Sequence, residues 1–132
     1  MSLSYLDTSA IVKLFKAEPE TAALKKYLGA GLITSSISRI EVKRVIDRNP
    51  AIYSKAALAV LDNFQFITAD SSIFAIAESL SGLPFLRSLD AIHLASAIYA
   101  KPIIAEFITY DDQLAAAAMS LGFNVTAPGV TQ

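Results

Sequence analysis

Short apolar runs alternate along this chain with longer segments in which apolar residues recur at helical spacing. The short runs predict strands, and the longer segments predict the helices that cover them. This alternation is typical of βα units arranged around a parallel sheet. The pattern alone therefore predicts an α/β fold.

The predicted strands and helices leave no linker and no internal repeat between them. The strands are predicted at Ser4–Leu6, Leu32–Thr34, Phe64–Thr68, Glu106–Thr109 and Phe123–Thr126. The helices are predicted after caps offered by Asp7, Thr8 and Ser9, from Pro19 to about Leu28, at Ser36–Arg48, from Pro50 to about Asn63, from the Asp70 cap to about Leu80, from the Ser88 cap over Leu89–Ala100, and at Asp112–Leu121. We expect residues 1–132 to form a single domain.

Composition narrows the class of protein. The chain has 132 residues, of which 54% are hydrophobic, and this favours a layered and well-buried core. Its 11 Lys and Arg residues nearly balance its 12 Asp and Glu residues, so a nucleic-acid partner would have to meet a local basic patch or a bound cation. No segment has the pattern of a signal peptide or a membrane span, so we expect a cytoplasmic protein without membrane contact.

Missing residue types exclude several chemistries. The absence of cysteine excludes disulfides, thiolate zinc sites and a cysteine nucleophile. His93 is the only histidine, which excludes multi-histidine zinc sites and ribonuclease chemistry that needs two histidines. Carboxylates, hydroxyls and metals that prefer oxygen ligands remain.

Acidic residues follow two of the predicted strands directly. Asp7 comes after the first strand, and Asp111 and Asp112 come after the strand that ends near Tyr110. In open α/β sheets, ligands bind in the crevice beyond the carboxyl ends of the strands. Asp7 is therefore either a site residue or a helix cap, and one of Asp111 and Asp112 is expected to be only a cap.

Two further acids lie within predicted helices. Glu41 shares its helix face with Ile37 and Val45, so its carboxylate must be paired, hydrogen-bonded or bound to a metal. A salt bridge to Arg44 or to a neighbouring helix is the structural alternative. Asp90 lies at the start of a helix that is apolar on nearly every face. Its carboxylate either belongs to a functional site or stabilises the N-terminus of the helix through the helix dipole.

The chain thus has four acidic positions that together suggest a cation site: Asp7, Glu41, Asp90 and Asp111. Carboxylates brought close to one another repel unless protons or a cation relieve the repulsion. A cage of oxygen ligands without histidine or cysteine suits Mg²⁺ or Mn²⁺.

Four segments of the chain resemble the acidic motifs of PIN-domain ribonucleases, with the VapC-type toxins of toxin–antitoxin pairs as the closest match. They are Tyr5–Ala10, Ser38–Glu41, Leu89–Ala97 and Ile108–Asp111. The resemblance covers almost the whole chain, and the segment around Asp90 is its most specific part. It implies a three-layer α/β/α sandwich with a central parallel sheet, and a single PIN-like domain over residues 1–132.

The resemblance also implies an activity: RNA cleavage with Mg²⁺ or Mn²⁺ in an acidic pocket. By position, the family's four acids are matched by Asp7, Glu41, Asp90 and Asp111. The polar residues that support them by hydrogen bonds are matched by Thr8, Ser9 and Thr109. Asp112 has no matching role and is expected to cap its helix. The partners implied are RNA, a small antitoxin protein that covers the pocket, and a second copy in a homodimer.

Basic and apolar surfaces add expectations about partners. The candidates for contact with the RNA backbone are Arg39, Lys43, Arg44 and Arg48, with Lys13 and Lys16 near Asp7. Their alternative is an ordinary solvated helix face. Apolar helix faces near residues 11–28 and 52–64 suit partner contacts or ordinary core, and His93 is either a substrate contact or a buried core residue.

Other functions remain open on the sequence alone. A PIN nuclease of RNA processing would have the same site chemistry as a toxin. A receiver-like, phospho-accepting signalling domain is a small α/β fold that also binds Mg²⁺, although the acids here do not follow its pattern. A haloacid-dehalogenase-like phosphatase is disfavoured because Ser9 stands where a second Asp should act, and a Walker-type phosphate loop is absent.

Overall fold

A computed structural model of the protein describes residues 2–83 and 86–130. Its centre is a five-stranded sheet in the order β3-β2-β1-β4-β5, in which every neighbouring pair is parallel. The strands are β1 Leu3–Leu6, β2 Leu32–Ser35, β3 Phe64–Ile67, β4 Ile104–Ile108 and β5 Val125–Thr126. The predicted α/β fold with a parallel sheet is confirmed.

Helices connect the strands and cover both faces of the sheet. They are α1 Thr8–Lys13, α2 Thr21–Tyr27, α3 Ile37–Ile46, α4 Pro50–Leu61, α5 Ser71–Ser79, α6 Ser88–Tyr99 and α7 Asp112–Ser120, with a 3₁₀ turn at Lys101–Ile103. In the described part of the chain, none of the helices is long and apolar enough to cross a membrane.

Side chains alternate between two hydrophobic cores along the strands. Tyr5 and Phe107 belong to the core under α5, α6 and α7, whereas Leu6 and Ile108 belong to the core under α1 to α4. Successive residues of a strand point to opposite faces, so each central strand feeds both cores. The result is the expected three-layer α/β/α sandwich.

The strand order decides against the receiver-like alternative. Receiver domains have the order 2-1-3-4-5, which puts the third strand beside the first. Here β3 is an edge strand, and β1 lies between β2 and β4 instead. A phospho-acceptor after β3 would therefore not lie next to Asp7, and the receiver interpretation is wrong.

Several predicted boundaries differ from the structure for local reasons. Helix α2 begins at Thr21 rather than Pro19, because the Thr21 hydroxyl accepts from the Glu18 amide and donates to the Lys13 carbonyl within a tight loop. Strand β4 begins earlier than predicted, at Ile104, because this residue pairs with Leu3 of β1.

Two predicted caps are also wrong. Ser88 is inside α6, and the N-cap position belongs to Arg87, whose guanidinium has no acceptor with which to cap. Asp111 caps α7 by accepting from the Leu114 amide at 2.9 Å, and Asp112 is the first helical residue. The backbone of Asp111 is extended, as an N-cap requires.

Candidate active site

Asp7 lies at the junction of β1 and α1, buried beyond the carboxyl end of the strand. Its Oδ1 caps α1 by accepting from the Ala10 amide at 3.1 Å, and it also accepts from Ser9 Oγ at 2.7 Å. Its Oδ2 accepts from Thr109 Oγ1 at 2.7 Å. The site and cap interpretations of Asp7 are therefore compatible, since one carboxylate caps the helix and also faces the neighbouring strand.

The pairing of β1 with β4 brings the two supporting hydroxyls to Asp7. Thr109 follows β4, and its Oγ1 accepts from the Asp111 amide at 3.1 Å while it donates to Asp7. Ser9 Oγ accepts from the Tyr110 amide at 3.0 Å while it donates to Asp7. Backbone amides of one loop thus orient the hydroxyls that orient the carboxylate.

Burial raises the pKa of Asp7 above its ordinary value. Attraction to the His93 imidazole and the hydrogen bonds from Ser9, Thr109 and the Ala10 amide lower the pKa and offset only part of this effect. The ionised form of Asp7 is therefore held at a cost, which a nearby divalent cation would relieve.

Glu41 on α3 is held by two side chains from other elements. Its Oε1 accepts from Thr8 Oγ1 at 2.6 Å and from His93 Nε2 at 2.8 Å. Burial acts to raise the pKa of Glu41, but these hydrogen bonds outweigh it and the net pKa is lowered. The alternative of a salt bridge to Arg44 is wrong, because Arg44 pairs with Asp47 at 3.5 Å.

His93 connects Glu41 to the core. It is buried, and its Nδ1 lies 2.8 Å from the hydroxyl of Tyr5, two residues before Asp7 on β1. The pKa of Tyr5 is raised well above its usual value, chiefly by burial, so its hydroxyl keeps its proton. His93 is therefore a buried residue that also orients a site carboxylate.

Arg87 joins the remaining two acids. Its Nε donates to Asp90 Oδ2 at 3.2 Å, and its Nη2 donates to Asp111 Oδ2 at 3.1 Å. The hydrogen bond to Asp90 is the largest cause of a raised Arg87 pKa, followed by the charges of Asp90 and Asp111. Asp90 itself is buried in the first turn of α6, whereas the guanidinium is exposed.

The four predicted acids therefore face two nitrogen-bearing side chains. Arg87 contacts Asp90 and Asp111 and also lies within the electrostatic reach of Glu41. His93 contacts Glu41 and attracts Asp7. Within residues 2–83 and 86–130, however, no three acidic or histidine side chains are close enough to hold one metal ion.

The donor set nevertheless fits a hard divalent cation in its chemistry. Its carboxylate oxygens are the ligands that Mg²⁺ and Mn²⁺ prefer, and Thr8, Ser9 and Thr109 add only neutral hydroxyls. Two of the four carboxylates are held by Arg87 in this arrangement. An ion shared by all four would compete with Arg87 for these two carboxylates.

A cleft of about 460 Å³ opens beside Glu41, which is the one of these four acids in its lining. Its lining includes Thr8, Ser9, Lys13, Glu41 and Tyr110. The Lys13 ammonium pairs with Glu18 and Glu20, at 3.3 and 2.7 Å, and it lies 4.6 Å from the centre of the Tyr110 ring. Lys13 thus faces the cleft with its charge partly balanced.

The family follows from a comparison of the whole chain with protein-family models. The model described as PIN domain matches residues 4–119, which include all four acids. The chain belongs to the PIN domain family. The resemblance expected from the acidic motifs is confirmed.

Curated relatives of this PIN domain chain are of the VapC type. Ribonuclease VapC47 of Mycobacterium tuberculosis is 36% identical, in an alignment that covers 97% of this chain and 98% of that protein. Ribonuclease VapC46 of the same species is 40% identical, with 97% and 99% covered. The match extends over nearly the full length of both relatives.

Two solved structures share the PIN fold. A toxin–antitoxin complex from Klebsiella pneumoniae aligns with a TM-score of 0.74 at 22% identity, covering 95% of this chain and 97% of that one. VapC20 of Mycobacterium tuberculosis, described as a toxin that cleaves the sarcin-ricin loop, aligns with a TM-score of 0.71 at 18% identity, covering 95% and 99%.

Three of the other predicted RNA contacts of this PIN domain lie on α3, whereas Arg48 and Lys16 lie in the segments that follow α3 and α1. Arg39 is exposed, with its guanidinium 5.1 Å from the centre of the Phe66 ring. Lys43 and Arg44 are also exposed, and both pair with Asp47. Arg39 and Lys43, four residues apart, share one side of α3, and Arg44 lies on another side, so the exposed basic residues are spread around the helix.

Sequence reasoning missed two residues that contact the candidate site, and the role of a third. Arg87 was not singled out, although it stands one helical turn before Asp90. Tyr5 was not singled out either. It lies two residues before Asp7, on the face of β1 that packs in the core under α5, α6 and α7, where its hydroxyl meets His93. The role of His93 towards Glu41 depends on the packing of α6 against α3, which the local sequence does not reveal.

Proposed function

We propose that this protein is a ribonuclease that depends on Mg²⁺ or Mn²⁺ and acts as the toxin of a toxin–antitoxin pair. One observation carries the proposal. Carboxylates from four separate parts of the chain, Asp7, Glu41, Asp90 and Asp111, gather around Arg87 and His93 at the carboxyl edge of the sheet. Relatives named as VapC ribonucleases over nearly the whole chain support it.

The four carboxylates would hold the divalent ion. When bound, such an ion supplies Lewis acidity that activates water and offsets negative charge on a phosphate under attack. Ser9 and Thr109 keep Asp7 in one orientation, and Thr8 and His93 do the same for Glu41. Attack by water leaves a 5′-phosphate and a 3′-hydroxyl on the RNA products.

The basic residues near the acids would position the RNA backbone. Lys13 lines the cleft, and Arg39, Lys43 and Arg44 extend the basic surface along α3. Such contacts hold phosphates without reading sequence, so they supply affinity that the net charge of the chain does not. RNA substrates are met in the cytoplasm, which is where we propose that the protein acts.

The proposed protein partners are a small antitoxin and a second copy of the chain. The solved toxin–antitoxin complex of the same fold supports an antitoxin. Ile52 and Leu58 of α4 are exposed, as a face for partner contacts requires, whereas Ala57 and Leu61 of the same helix are buried in the core. We infer in addition that residues 1–132 work as one PIN-like unit, since the family match spans 4–119.

The nuclease proposal is tested by RNA cleavage with EDTA, Mg²⁺ or Mn²⁺ added. We expect the parent to cleave only with a divalent ion, and Asp90→Asn and Asp111→Asn to lose that activity. Asparagine at 111 keeps the α7 cap, so a loss there reports the charge rather than the helix. Asp112→Asn, one residue further and exposed, is the matched control and should cleave normally. Parent-rate cleavage by Asp90→Asn would contradict the proposal.

The toxin role is tested separately from the chemistry. Expression of the parent should arrest growth, and expression of Asp90→Asn should not. Normal growth with an active nuclease would instead favour a role in RNA processing.

A further inference from the structure

Arg87 occupies a position that helix stability does not explain. N-cap positions favour Ser, Thr, Asp or Asn, whose side chains accept hydrogen bonds from the first turn. Arg87 has no acceptor, and its positive charge opposes the positive end of the α6 dipole. What favours the guanidinium here is its pair of contacts, one nitrogen on Asp90 and another on Asp111.

The contacts of Arg87 compete with a shared divalent ion. Each engages the Oδ2 of a carboxylate that is proposed to bind the metal, and a guanidinium beside a divalent cation is repelled by it. In the described part of the chain, three ligands do not converge on one point while these contacts are made. The side chain of Arg87 is 69% exposed, so it is free to leave without unpacking the core.

We propose that Arg87 is a displaceable internal counter-ion, which competes with the divalent cation for Asp90 and Asp111 and so weakens metal binding. This inference rests on the proposed function, because it takes those two acids as metal ligands. In this role, Arg87 sets the metal concentration at which the nuclease becomes active.

The test is the affinity of the full-length protein for Mn²⁺, measured by titration calorimetry at low ionic strength. Arg87→Gln should bind Mn²⁺ about fivefold to tenfold more tightly, since two charge-assisted contacts no longer compete. Arg44→Gln is a closely matched control. Arg44 also pairs with an acid three residues later, and its side chain is likewise 69% exposed. Its affinity should stay within about twofold of the parent, because its partner Asp47 is not a proposed ligand.

Arg87→Lys separates displacement from simple charge repulsion. Lysine keeps the positive charge but cannot place two nitrogens on two carboxylates in the fixed fork of a guanidinium. Displacement predicts an affinity between those of the parent and Arg87→Gln. An affinity equal to the parent would overturn the counter-ion role, because charge alone would then explain the glutamine variant.

Asp90→Asn distinguishes failure of this inference from failure of the proposed function. If the parent binds Mn²⁺, Asp90→Asn does not, and Arg87→Gln binds no more tightly than the parent, only the role of Arg87 is overturned. If neither the parent nor Arg87→Gln binds Mn²⁺, the metal site and the counter-ion fail together. Binding by Arg87→Gln alone would support displacement in its strongest form.

Discussion

Two corners of the acidic site hold their carboxylates by opposite means. In the first, Asp7 is buried and receives hydrogen bonds from Ser9, Thr109 and a backbone amide. In the second, the exposed Arg87 holds Asp90 and Asp111 by charge. Neutral donors tied to the backbone lose little freedom on binding, whereas an exposed long side chain is screened and mobile.

The two corners therefore differ in how firmly they hold their carboxylates. The Asp7 corner is preorganised, because the hydroxyls that hold the carboxylate are themselves fixed by the amides of Tyr110 and Asp111. The Arg87 corner is adjustable, because its cation can leave for solvent. If a divalent cation displaces Arg87 as we propose, the first corner provides position and the second responds to cations.

The largest effect is expected from Asp7→Asn. The amide keeps the α1 cap but is a much weaker ligand for a divalent ion, so RNA cleavage should fall by about a hundredfold or more. Thermal unfolding in EDTA should be unchanged or occur at a higher temperature. Asp62→Asn, at the exposed C-cap of α4, is the control. Cleavage at the parent rate by Asp7→Asn would show that Asp7 does not take part in RNA cleavage.

A smaller effect on activity is expected from Thr109→Val. This change leaves Asp7 Oδ2 and the Asp111 amide without their partner in a buried place, at a cost of about 1–3 kcal/mol. Cleavage should fall by about tenfold or more, as for other supports of metal ligands. Thr68→Val, at the equivalent place after β3 but exposed, is the matched control. Equal stability of the two variants would show that the first corner is not preorganised.

Tyr5→Phe tests whether the hydrogen bond between Tyr5 and His93 supports Glu41. The change leaves His93 Nδ1 unpaired in the core and should lower the free energy of unfolding by about 1–2 kcal/mol. Cleavage should fall only a few fold, because the contact of Glu41 with His93 remains. Tyr99→Phe, 64% exposed on the same helix as His93, should be neutral in chemical denaturation. A neutral Tyr5→Phe would mean that His93 needs no support.

The smallest effect is a dependence of stability on pH. Because the pKa of Asp7 is raised in the folded protein, its ionised form destabilises the fold, and stability falls as pH rises through that pKa. The melting temperature of Asp7→Asn relative to the parent should therefore be highest at about pH 7 and should decrease as pH falls towards about 4. Melting curves of both proteins in EDTA measure the difference. An advantage that grows in acid would contradict the assigned direction.

Glu41 does not disturb that measurement. Its lowered pKa contributes stability that is present above its ordinary value and lost as pH falls further into acid. The contribution is common to the parent and Asp7→Asn, so it cancels in the difference between their melting temperatures. The comparison thus isolates the buried corner.

Local signals in the sequence point to the four proposed metal ligands. Asp7 and Asp111 come at the ends of predicted strands, Glu41 lies on the apolar stripe of its helix, and Asp90 begins a helix that is apolar on nearly every face. The α7 cap is less accessible from sequence, because Asp111 and Asp112 are chemically equal as caps and the choice depends on the backbone conformation. The structure shows that Asp111 is extended and that Asp112 is the first helical residue.

Apolar periodicity along the chain determined the α/β class and the places where acids follow strands, since both depend on neighbouring residues only. Tertiary structure decided that β1 lies beside β4, which brings Thr109 to Asp7. It also decided that Arg87 reaches Asp111 across the gap between α6 and α7. Such contacts join segments far apart in the chain, and their free energy depends on burial and distance, which the order of residues does not contain.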